Sequence, residues 1–189
     1  MTRVRRISAL AACAVAFVGL SALPAQAKTA APESWAAKYC GALTVWSDQV
    51  TGGVTEMKKS LQGADLTPVQ GKSVVVGLVG IADNATKDFY ASVKKIGIPD
   101  TDNGAMIHKT ILKGIQGMAT QIDSAKVIAD NLPTTDLASF QASYQPFSAA
   151  LDAVAAPFDS AMTKVAVLDK DDHLSDSLQK VQSCKALFG

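Results

Sequence analysis

The sequence predicts an all-α protein: an up-down antiparallel bundle of four long helices, with a short fifth helix at the C-terminus disulfide-linked to the first. Three observations lead there. Apolar residues recur at three- and four-residue steps through nearly all of residues 28–189. Proline, glycine and capping residues cut that pattern into five blocks. Two cysteines, Cys40 and Cys184, stand in the first and last blocks. No period-two alternation is long enough to propose a sheet, and no repeat recurs at a fixed spacing.

Residues 1–27 read as a cleaved secretory signal. Arg3, Arg5 and Arg6 form a basic start, an apolar run fills residues 7–23, and Ala25-Gln26-Ala27 is a small-x-small cleavage site. Two other readings compete. Leu10-Ala11-Ala12-Cys13 imitates a lipoprotein box, but the apolar run continues well past Cys13. Arg5-Arg6 imitates a twin-arginine signal with poorly matching flanks. Cleavage near Ala27 leaves one domain, residues 28–189, outside the cell or at its envelope. No later segment supplies the uninterrupted run of about 18 apolar residues that a transmembrane anchor needs.

Removing the leader changes the charge. All three arginines lie within it, so the remainder carries 15 Lys against 17 Asp and Glu, a net charge of −2 where the whole chain has +1. Without arginine there is no planar fork for phosphate or base edges. Nucleic-acid binding and specific phosphate chemistry are therefore not expected.

The first block carries Tyr39, Leu43, Trp46, Val50, Val54, Met57 and Leu61 on one stripe, with Pro32 and Glu33 suited to a first turn and Gly52-Gly53 a candidate kink. The second opens on Thr67-Pro68, an N-cap and a first-turn proline, and closes at Gly97 and Pro99. The third opens after Asp102-Asn103 and closes at Pro133. Each of these two spans roughly 30 residues, about 45 Å of helix, and matched lengths with short loops suit antiparallel neighbours. The fourth has the most regular seam, Leu137, Phe140, Tyr144, Phe147, Leu151, Val154, Phe158, Val165 and Leu168. Pro146 and Pro157 inside it predict a bend or two shorter helices. The fifth runs from Leu174 to Leu187, with Ser175 or Asp172 as caps.

With Cys13 lost in the leader, Cys40 and Cys184 are the remaining pair, and export carries them through an oxidising compartment. In an up-down bundle Cys40 stands about 10 Å up the first helix and Cys184 about 16 Å up the fifth, from the same end. These heights are compatible with a disulfide; the alternative is two buried free thiols.

Familiar chemical signatures fail when tested against their mechanics. Asp100-Thr101-Asp102-Asn103-Gly104 has its glycine one position early for a calcium loop, and Ile111 stands where the bidentate Glu belongs. It reads better as a turn and helix cap. No nucleophile elbow, phosphate loop, zincin motif or paired-cysteine metal motif occurs. The acid-base supply is thin, with Glu33 and Glu56 the only glutamates and His108 and His173 the only histidines. Topology supplies one local hypothesis. The loops on either side of the bundle's lower end would bring His108, Asp100 and Asp102 toward His173, Asp171 and Asp172, a donor set suited to a divalent metal. The competing reading is a solvated charge cluster complementing helix ends.

The junction Lys95-Ile96-Gly97-Ile98-Pro99-Asp100-Thr101-Asp102-Asn103-Gly104-Ala105-Met106-Ile107-His108 resembles one found in small secreted proteins and lipoproteins of actinobacteria. There a helix ends in Gly-x-Pro and a D/N-G turn opens a helix with an early His. The alanine-rich leader, the early Trp and Cys and the late Cys are similar too. The resemblance implies a secreted helical fold and brings no activity, cofactor or site residue with it. The expected function is therefore a non-enzymatic extracellular bundle that binds a protein partner or a small ligand and needs no cofactor. Metal or haem binding through His108 and His173 is the alternative.

Overall fold

The computed structural model describes residues 28–62, 66–170 and 173–188, and the signal reading of residues 1–27 lies outside them. Helix α1 (Pro32–Leu61) begins on proline, whose missing N–H is harmless in a first turn. Glu33 near its start and Lys58 and Lys59 near its end sit at the favourable ends of the helix dipole. The expected kink at Gly52-Gly53 does not break the helix. Gly53 instead lies against the Leu78 and Ile81 side chains of the next helix.

Helix α2 (Pro68–Ile96) opens with a reciprocal cap. The Gln70 N–H donates to the Thr67 hydroxyl, and the Thr67 N–H donates to the Gln70 side-chain oxygen at 3.0 Å. It ends at Gly97, whose φ of 88° lies in the left-handed region open to glycine. A short sheet follows that no sequence pattern announces. Strand β1 (Thr29–Ala30) pairs in parallel with β2 (Ile98–Pro99), Thr29 opposite Ile98 and Ala30 opposite Pro99. Two residues per strand are too few to carry an alternation.

Helix α3 (Gly104–Asp130) follows, and the fourth block then divides into α4 (Leu137–Asp152) and α5 (Ala156–Leu168). Pro146 remains inside α4, whereas Pro157 starts α5, so the break falls where the second proline can sit in a first turn. Asp136 caps α4 by accepting the Ser139 N–H at 2.8 Å, and that backbone hydrogen bond is the main reason its carboxyl titrates below the ordinary range.

The fifth block also divides, into α6 (Leu174–Lys180) and α7 (Gln182–Phe188), because Val181 turns extended at ψ 126°. Of the two expected caps, Ser175 lies inside α6 and Asp172 lies outside the described residues. The Asp169 carboxylate reaches forward and accepts from the Leu174 N–H at 2.6 Å and the Ser175 N–H at 2.8 Å. Two backbone donors on one carboxylate hold the α5–α6 turn, in which His173 takes a left-handed φ of 53°.

Helix α1 packs on α2, α2 on α3, α3 on α4 and α5, and α6 and α7 return to α1. Facing residues fix the directions. The Trp35 indole donates to the Gly97 carbonyl, Trp46 meets Phe89, and Gly53 meets Leu78, so α1 and α2 run antiparallel. Gln116 meets Tyr90 and Lys72 reaches the Asp130 carbonyl, so α2 and α3 do too. One apolar core gathers Trp35, Tyr39, Phe89, Ile111 and Leu174 from α1, α2, α3 and α6. A second, around Val75, Val79, Ile122 and Phe147, joins α2, α3 and α4. Cys40 and Cys184 form a disulfide, Cα atoms 5.1 Å apart, and both are buried.

Candidate functional site

An aromatic column crosses the first core. Trp35 stacks on Tyr39 at 4.9 Å between ring centroids, Tyr39 lies 6.2 Å from Phe89, and Phe89 touches Trp46 at 6.0 Å and Phe158 at 6.1 Å. Among the described residues the Tyr39 hydroxyl donates only to the Met162 sulfur, at 3.6 Å, and burial drives its ionisation far above the ordinary range. Tyr39 is therefore a neutral core residue and supplies no base.

Where this column reaches the surface, α1 and α2 part to leave a half-open groove of about 500 Å³. Its walls are two facing helical stripes, Gly41, Ala42, Val45, Trp46 and Gln49 on α1, and Ala85, Asp88, Phe89, Ser92 and Ile96 on α2. Small residues at 41, 42 and 85 keep it open. A Cβ added at Gly41 would meet nothing within 4 Å. Because the two helices are antiparallel, Lys38 near the start of α1 comes to the same end as Lys95 near the finish of α2. The β1–β2 pairing adds Lys28, which also lines the groove. The result is an apolar trough with three exposed ammonium groups at one end.

The site is hidden in the sequence because its lysines come from three separate segments. One signal was present: Gly41-Ala42 interrupts an otherwise bulky stripe beside Trp46, and Lys38 and Val45 fall on the same face as the gap.

The side-chain amide of Asn103 donates to the Leu168 carbonyl at 3.1 Å, so the α2–α3 and α5–α6 turns do share one end. His108 lies in α3 with Nδ1 buried and without a hydrogen-bond partner, and burial lowers its pKa. His173 is exposed and faces Asp176 at 3.6 Å. Asp100 and Asp102 are exposed, while Asp171 and Asp172 lie outside the described residues. Among the described residues no three His, Cys, Asp or Glu side chains are grouped to hold a metal ion.

The helical glycines divide into two sets. Gly71, Gly114 and Gly117 sit where helices approach closely: a Cβ there would come within 2.7 Å of Phe140, 2.6 Å of Ala161 and 2.5 Å of Pro157 respectively. Gly77 and Gly80 face open space. A smaller groove of about 380 Å³ lies between α2 and α3, and the one cation in its wall, Lys87, is held by Asp83 at 2.7 Å.

No described helix is long and apolar enough to cross a membrane. Comparison of the chain with family models, with curated proteins and with solved structures finds no match.

Proposed function

We propose that this chain is a secreted, non-enzymatic protein that binds a small ligand with an apolar body in the groove between α1 and α2. The observation that carries the reading is the groove itself. Its volume of about 500 Å³ falls within the roughly 300–1,000 Å³ of small-molecule sites, and Trp46 and Phe89 form its walls. The signal-like leader and the disulfide support export through an oxidising compartment. The antiparallel pairs α1–α2 and α2–α3 support an up-down bundle as the arrangement of the whole. Kinship with small secreted actinobacterial proteins is part of the same reading and rests on residues 95–108.

A neutral apolar fluorophore tests it. N-phenyl-1-naphthylamine is expected to gain emission on binding and to quench the half-buried Trp46 while leaving the buried Trp35 little changed. A Cβ at Gly41 meets no neighbour, so Gly41→Leu should extend into the trough, abolish binding and leave the far-UV spectrum intact. Equal binding by the native chain and Gly41→Leu would overturn the reading.

A further inference from the structure

We infer that the groove takes a single-chain anionic amphiphile of the fatty-acid class, its carboxylate at the Lys28, Lys38 and Lys95 end and its chain along Trp46 and Phe89. This rests on the groove-binding reading above and adds the chemistry of the ligand.

Charge is the first argument. Residues 28–189 carry a net −2, yet three of their lysines meet at one end of one trough. Lys28, Lys38 and Lys95 have no ion-pair partner among the described residues. The only carboxylate in the wall, Asp88, stands seven positions before Lys95, about 10 Å along α2. The trough is therefore cationic at one end and chiefly apolar beyond it, with Ser92, Asp88 and Gln49 the polar side chains along that stretch, and this gradient matches a head and a tail.

Shape is the second. From Lys38 to Gln49 the groove follows α1 for about 16 Å, the reach of a medium-length acyl chain. One pair of helices bounds it, and Gly41 and Ala42 hollow out its centre, which gives room for one chain. The donor chemistry is the third. Ammonium groups are compact point charges without the planar fork of arginine, and they suit a monoanionic carboxylate at the mouth of an apolar site.

The test compares three amphiphiles with one tail, each below its micelle concentration: dodecanoate, dodecanol and dodecyltrimethylammonium. Each displaces N-phenyl-1-naphthylamine from the purified chain. Dodecanoate is expected to bind most tightly and the cation least, with the preference shrinking in high salt. Lys38→Gln combined with Lys95→Gln should weaken dodecanoate by up to about twenty-five-fold, at up to about fivefold per exposed ion pair, and leave dodecanol unchanged. If the three heads bind alike, or the double variant binds dodecanoate like the native chain, the head-group assignment is wrong while groove binding stands. If no amphiphile displaces the probe, the ligand class is wrong while groove binding stands; if the probe itself does not bind, or binds Gly41→Leu unchanged, the groove reading fails with it.

Discussion

The indole N–H of Trp46 donates to the hydroxyl of Thr86, 3.1 Å away on the neighbouring helix. Thr86 is 1% exposed, so this hydrogen bond satisfies the polar edge of a residue whose ring forms the groove wall. Thr86→Val keeps the shape and deletes the acceptor. It should lower stability by about 1–2 kcal/mol, the cost of an unsatisfied buried donor, and shift the Trp46 emission. Thr86→Ser should restore most of both, as read by urea denaturation and fluorescence.

The disulfide closes a loop of 144 residues. Chain entropy assigns such a link up to about 5 kcal/mol. Cys184→Ser, or reduction, should lower unfolding stability by about 3–5 kcal/mol. Helices α6 and α7, seven residues each, are too short to persist alone and should lose hydrogen-exchange protection first. Mass spectrometry of the non-reduced chain should find no alkylatable thiol among residues 28–189.

Glycine substitutions should take opposite signs along neighbouring helices. Alanine at Gly114 or Gly117 drives a methyl into Ala161 or Pro157 of α5, and overpacking of that kind destabilises by about 1–3 kcal/mol. Alanine at Gly77 or Gly80 meets nothing and should stabilise by about 0.5–1 kcal/mol through helix propensity. Thermal melts of the four single variants check the pattern.

His108 gives the fold one acid-sensitive contact. Burial of its imidazole without a partner for Nδ1 holds the pKa below the usual 6.5. The unfolded chain then binds the proton more readily, so the neutral imidazole's contribution is complete above pH 6.5 and declines as pH falls through the folded value. Stability should drop on acidification below 6.5, and His108→Gln should flatten that part of the curve. Asp136 acts in a lower window. Its capped carboxylate contributes in full above pH 3.8 and loses that contribution below it as the proton arrives. Denaturation midpoints across pH separate the two.

Much of the fold was legible because helices advertise themselves locally. Thr67-Pro68 and Gly97 mark the ends of α2 within one turn, and the seam from Phe140 to Val165 identifies helical rather than extended chain. The disulfide was legible because only two cysteines follow residue 27 and topology put them at similar heights. What stayed hidden depends on where separate segments meet. Asp169 caps α6 from five residues before Leu174, a reach disguised by the nearer Ser175 and Asp172. Strand β1 exists only because the α2–α3 turn passes beside it. The groove is a gap, and a gap is made by residues that are small, so the stripe of large apolar side chains that reveals a helix is silent about the space beside Gly41.

The Cys40–Cys184 bond also fixes what a protease can achieve. Residues 40–184 form a covalent ring, so one cut anywhere within it yields two pieces that migrate as one molecule until a reductant is added. A nicked ring keeps its severed ends tethered at high local concentration, so the two pieces can dock again as one fold.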